Sequence, residues 1–186
     1  SGSALLRLIN NILDYSKIEA GELDLENNEF ELRELAESVA RMFRLTARSK
    51  GIDLSVTVAA NVPDRLSGDS IRLNQVLVNL VGNAVKFTAT GGVELRIDRV
   101  DNEMAAETGA NGADGSPRCR LRFAVIDTGV GIADAHLPRL FQPFVQAAGS
   151  ITRRFGGTGL GLAIWRRLVP LWSGDVAVVS QPRRGR

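Results

Sequence analysis

The stretch DSIRLNQVLVNLVGNAVKFT, residues 69–88, decides the fold. Wound at about 100° per residue, it sets Arg72, Gln75, Asn79, Asn83 and Lys86 within an arc of roughly 80°. Leu73, Val76, Leu77, Leu80 and Ala84 fill the adjoining arc. A surface helix normally places polar residues opposite its apolar stripe, whereas here two amides and a lysine stand edge-on to the core, as the wall of a site would. An asparagine offers a hard carbonyl oxygen without charge, which suits magnesium shared with substrate phosphates. Asn83 is the first candidate ligand, and Lys86, one turn on, can meet phosphate as a point charge. A helix whose amides face solvent or cap a neighbour has the same pattern, so the flanking sequence must decide.

Upstream, Gly68-Asp69 leads into this helix, and Asn61-Val62-Pro63-Asp64 reads as a turn. Ile52, Leu54, Val56 and Val58 alternate inward as a strand over 52–58. Leu35, Val39, Met42, Phe43 and Leu45 mark a helix from Glu34 to Ser49, closed by Lys50-Gly51, and Phe30–Leu32 reads as a short strand before it. From Ala4 to Ala20 the apolar residues recur at three- and four-residue steps, giving an amphipathic helix ended by Gly21. So short a helix does not bury its stripe alone and is expected to pair with another helix, upstream or on a second chain.

Downstream, Gly91-Gly92 ends the organising helix and Val93–Val100 alternates as a strand. Residues 102–117 lack periodicity and read as a hairpin connection. Cys119–Asp127 is the next strand, with Leu121, Phe123, Val125 and Asp127 on one face. A carboxylate ending an apolar row needs a partner, which the amino group of a purine would provide. Gly129 and Gly131 then leave the backbone open to a ligand. Ile132 to Gly157, with one helical turn over Leu137–Phe144, reads as a lid. Gly156-Gly157-Thr158-Gly159-Leu160-Gly161 opens a helix, Leu162–Leu171, presenting free N–H groups to an anion; no Lys-Ser/Thr follows, so this is not a Walker loop. Asp175–Ser180 reads as a last strand.

Composition sets bounds on the rest. The 186 residues suffice for one sizeable core, and 44% hydrophobic with 24% charged residues are ordinary globular values. A net charge of +2 with scattered basic residues does not call for nucleic acid. The single cysteine, Cys119, excludes an internal disulfide and reads as a buried strand residue; the single histidine, His136, cannot build a zinc site with so few soft ligands. No apolar run approaches the roughly 20 residues that span a bilayer.

Taken in order, these blocks resemble the catalytic and ATP-binding domain of sensor histidine kinases, within the wider Bergerat-fold ATPases. The asparagine box is matched at Asn79, Asn83, Ala84, Lys86 and Phe87; the first glycine box at Asp127-Thr128-Gly129-Val130-Gly131-Ile132; the phenylalanine box at Phe141 and Phe144; the second glycine box at Gly157, Thr158, Gly159, Leu160 and Gly161. Asp14 to Gly21 resembles the end of the second dimerisation helix, which divides the chain at 1–21 and 22–186. Phe144-Val145-Gln146 and residues 152–157 resemble the lid of hybrid kinases that carry receiver domains.

The resemblance implies an α+β protein: a two-layer α/β sandwich of the Bergerat fold, its mixed sheet covered on one face by three helices and preceded by one amphipathic helix. It implies ATP and Mg2+ as ligands. Asp127 would read the adenine amino group; Asn83, with Asn79, would hold the metal; Lys86, the 157–161 backbone and Arg153 or Arg154 would meet the phosphates. Gly129, Gly131, Ile132 and Phe144 would line the nucleotide, as would Thr158, Gly159, Leu160 and Gly161. Water-splitting relatives place a glutamate base where Asn79 stands, and an amide cannot take a proton from water. The implied reaction is therefore γ-phosphoryl transfer to a histidine on a dimerisation helix, and onward to a receiver aspartate. That histidine lies outside this sequence, so no catalytic residue is expected on the chain and the fragment alone is expected to lack autokinase activity. The closing strand of the fold is expected beyond Arg186. The implied setting is a bacterial-type homodimer in the cytoplasm, partnered by its dimerisation helices and a receiver. Rival readings are a nucleotide-binding module without kinase activity and a Bergerat-fold ATPase.

Overall fold

In the computed structural model the described residues are 9, 13, 16–18, 20–21, 23–100, 119–142 and 161–180. They fall into two units: Asn28–Gly129, and a second drawn from Ser1–Asn27 and Val130–Arg186.

The first unit holds β1 (Asn28–Glu31), α1 (Leu32–Lys50), β2 (Asp53–Val58), β3 (Arg65–Gly68), α2 (Ser70–Phe87), β4 (Gly92–Arg99) and β5 (Leu121–Asp127). The organising helix runs nearly as the sequence indicates. The Asp69 carboxylate caps it by accepting from the Arg72 N–H at 2.9 Å, and Thr88 closes it. Helix α1 ends in a Schellman motif, with Gly51 at φ +66°, its N–H on the Arg48 carbonyl and the Ile52 N–H on that of Ala47. Its N-terminus has no local side-chain cap. Asp64 supplies one from a distance, accepting the Leu32 N–H on its backbone oxygen at 2.8 Å and the Arg33 N–H on Oδ1 at 2.9 Å.

Strands β2, β4 and β5 form one mixed sheet. The β2–β4 pair is parallel, which requires a crossover, and α2 is that crossover; β4–β5 is antiparallel. Strand β4 is central. Val93, Leu95 and Ile97 are buried on one face, while Glu94, Arg96 and Asp98 occupy the other, where Arg96 pairs with Glu94 and Arg122 with Asp98. The covered face meets Ala36, Val39 and Ala47 of α1 and Leu77, Val81, Ala84 and Val85 of α2 in one apolar core. The two helices come close at Gly82, where an added Cβ would lie 3.0 Å from Phe43 Cζ.

The strand Arg65–Gly68 was not expected. It pairs antiparallel with β1 as a separate two-stranded sheet, and RLSG has too short an apolar pattern to signal it. Cys119 is half-buried and precedes β5 rather than lying within it, because the ladder with β4 begins at Leu121.

In the second unit, Ser16–Ile18 is helical and the Ala20 N–H bonds the Ser16 carbonyl just before Gly21, so the expected helix end is present. Asp134–Arg139 is a 3-10 helix, earlier than the turn expected over Leu137–Phe144; Phe144 lies outside the described residues. Helix α3 spans Gly161–Leu168 and then tightens to 3-10 over Val169–Trp172. The helix expected to Leu171 is completed in 3-10 form, because Pro170 disfavours α geometry at Val169 and brings no N–H. Asp175–Ser180 forms no strand. The Val176 N–H bonds the Asp175 carboxylate, and alternation becomes a strand only where a ladder partner meets it.

Candidate functional site

On α2 the Asn83 Nδ2 donates to Asn79 Oδ1 at 2.8 Å. The two amides lie one turn apart on a half-buried face. With one of its two N–H groups bonded to Asn79, the Asn83 amide keeps a carbonyl oxygen that can accept from or coordinate a ligand. Lys86 follows on the same arc, half-buried, with its ammonium 4.8 Å from the Phe87 ring centroid. Burial holds the Lys86 amine below its ordinary pKa.

The end of β5 meets the end of α2. Asp127 stands opposite Val93 in the ladder, and its Oδ1 accepts the Gly129 N–H at 2.8 Å. Gly129 in turn packs on the last residue of α2, since a Cβ there would lie 2.8 Å from the Phe87 carbonyl oxygen and 2.7 Å from Asp127 Oδ1. Only glycine fits between strand end and helix end. Asp127 is exposed, not buried as the apolar row suggested, so its other oxygen can accept from an incoming donor.

Thr128, within the first glycine-box motif, has a structural role. Its hydroxyl accepts the Gly92 N–H at 3.0 Å and lies 2.9 Å from the Thr90 carbonyl, to which it can donate, while its N–H bonds the Gly92 carbonyl at 3.1 Å. It thus fastens the turn between α2 and β4 to the end of β5.

Gly131 and Ile132 belong to the second unit, where the Ile132 N–H donates to Ser180 Oγ at 2.7 Å. Gly161 lies in α3. Arg166 of that helix lies 5.4 Å from the Phe141 ring centroid. Thr158, Gly159, Leu160 and Arg153 fall outside the described residues. Among the described residues no cluster of three acidic, histidine or cysteine side chains could hold a metal, and no helix is long and apolar enough to cross a membrane. A cation at Asn83 would share the oxygens of a phosphate ligand and of water, a donor set that magnesium accepts. His136 is exposed on the 3-10 helix.

Residues 68–186 match the family described as histidine kinase-, DNA gyrase B- and HSP90-like ATPase. Along its whole length the chain is 40% identical to the signal transduction histidine-protein kinase BarA of Escherichia coli, covering 19% of that protein. It is 40% identical over 97% of its length to hybrid signal transduction histidine kinase K of Dictyostelium discoideum, covering 14% of it. The chain thus spans under a fifth of these relatives. Among solved structures it is similar to full-length ShkA in complex with AMPPNP, with a TM-score of 0.74 and 34% identity over 97% of this chain and 34% of that one. It is also similar to the nucleotide-free catalytic domain of the histidine kinase ThkA, with a TM-score of 0.54 and 28% identity over 77% of this chain and 80% of that one.

Proposed function

Because this chain belongs to the histidine kinase-, DNA gyrase B- and HSP90-like ATPase family, we propose that it is the catalytic and ATP-binding domain of a hybrid sensor histidine kinase, with residues 1–21 the tail of its dimerisation helices. The observation that carries the reading is the Asn79–Asn83 amide pair, one turn before Lys86 and joined through Gly129 to the strand end bearing Asp127. Asp127 accepts from the adenine amino group. Asn83 offers its carbonyl oxygen to magnesium, with Asn79 orienting the amide, and Lys86 meets the phosphates. The Arg153 side chain and the 157–161 backbone are assigned to the same phosphates, and Gly129, Gly131, Ile132 and Phe144 to the nucleotide's surroundings. Magnesium, when bound, neutralises charge on the phosphate oxygens.

The chemistry is positioning. The bond from the γ-phosphorus to the bridging oxygen breaks, a bond to an imidazole nitrogen forms, ADP leaves, and the imidazole N–H proton passes to solvent. The acceptor histidine stands on a dimerisation helix of the full-length homodimer, and a receiver aspartate takes the phosphoryl group next. Asn79 favours transfer over hydrolysis, because it cannot deprotonate water.

Incubating the chain with γ-labelled ATP and a separately produced dimerisation hairpin from a matched kinase tests this. Acid-labile label on the hairpin, lost with Asn83→Ala, is the expected result. Steady phosphate release without label transfer would instead identify an ATPase, and ATP binding without either reaction a regulatory nucleotide module.

A further inference from the structure

Lys50 lies at the end of α1, 35 and 36 residues from its two partners. Its Nζ donates to the Val85 carbonyl at 2.6 Å and to the Lys86 carbonyl at 3.1 Å. These carbonyls belong to the last turn of α2, where intrahelical donors run out. The Ala84 carbonyl is taken by the Thr88 N–H, and the Phe87 carbonyl is packed by Gly129. Lys50 therefore supplies the donors for the carbonyls between them, and it places a cation at the negative end of the helix dipole.

The reach of this lysine is preset. The Schellman turn at Gly51 fixes the end of α1, with Ile52 and Ala47 both buried beneath it. Lys50 thus leaves a rigid point on one helix and grips the backbone of the residue whose side chain is the candidate phosphate contact.

We propose that Lys50 is a positioning residue for nucleotide phosphates: it holds the last turn of α2 at the height at which Lys86 meets them. The proposal rests on the phosphate role given to Lys86 above. It predicts a split that a general loss of structure would not give. The adenine contact is carried by β5, whereas the phosphate contact is carried by the turn that Lys50 clamps, so their affinities should separate.

The test titrates ADP and adenosine separately into the 186-residue chain and into Lys50→Met, Lys50→Gln, Lys50→Arg and Lys86→Met. Lys50→Met is expected to weaken ADP binding about tenfold, as displacement of a charged contact does, and to leave adenosine binding unchanged. Lys50→Arg, which keeps the charge and two donors, should restore it. If Lys50→Met does not fold, Lys50→Gln, with a donor but no charge, is read in its place with the same split expected. Equal weakening of ADP and adenosine would overturn the proposal and leave Lys50 a packing residue. Full ADP affinity in Lys50→Met, with loss in Lys86→Met, would overturn it while sparing the site. Full ADP affinity in Lys86→Met would overturn both.

Discussion

The Thr128 hydroxyl occupies the space that a side chain on Gly91 would need: a Cβ on Gly91 would lie 2.2 Å from Thr128 Oγ1, and Gly91 holds φ +96°. The turn after α2 can therefore be fastened to the end of β5 only if residue 91 has no side chain. Gly91→Ala is expected to cost about 2–4 kcal/mol through backbone strain and displacement of the hydroxyl. Thr128→Val, which leaves the Gly92 N–H without its 3.0 Å partner, should cost about 1–3 kcal/mol, with Thr128→Ser close to the parent. Urea denaturation measures all three, and equal midpoints for Val and Ser would show that the hydroxyl holds nothing.

The two asparagines should not respond alike. Asn83→Ala removes the oxygen assigned to magnesium and should abolish the magnesium dependence of ATP affinity. Asn79→Ala only frees the amide bonded to it at 2.8 Å, and should weaken the magnesium-dependent part by about tenfold, as loss of a group that orients a ligand does. Calorimetric titration of an ATP analogue with and without magnesium separates them. A larger loss in Asn79→Ala would reverse the roles.

Asp127→Asn sets two demands against each other. The carboxylate accepts the Gly129 N–H on one oxygen and has a second for a ligand donor. An amide has one oxygen for both, and turning its nitrogen to either donor leaves an unpaired clash. ATP affinity should fall by a factor of ten or more, since a lost charged hydrogen bond is worth about 1.5–3 kcal/mol. Adenosine binding should fall in parallel, which a phosphate contact would not produce.

Lys86 sets function against stability. Burial lowers its pKa from the usual 10.5. A folded pKa below the unfolded one means that the charge costs stability: the cost is complete below the folded pKa, shrinks as pH rises through it, and is gone above the unfolded value. Lys86→Met should therefore be at least as stable as the parent at neutral pH while losing affinity for ADP. The stability gap should close as pH rises toward the usual lysine value, as urea midpoints at stepped pH would show. A gap that widens with pH would contradict the assignment.

Some of this was legible in the chain. Residues 69–88 carry their own cap, apolar stripe and polar arc, so Asn79, Asn83 and Lys86 could be placed on one face before any fold was known. The four motif blocks, matched in order, pointed to the family to which residues 68–186 belong. Where the reading failed, the signal was not local. Strand Arg65–Gly68 exists because Asn28–Glu31 lies beside it, and Asp175–Ser180 has the alternation of a strand without the ladder.

What the sequence determined by itself was periodic and short-ranged: the helices, most strands, and the residue types gathered on one face of α2, because side-chain spacing along a helix or strand follows from backbone geometry alone. Tertiary structure alone decided the fastenings. Asp64 caps α1 from beyond a strand, Lys50 bonds the end of α2, and Thr128 closes the turn at Gly91. Each joins residues more than 30 positions apart through the polar groups of one residue, and no period in the chain encodes such a pairing.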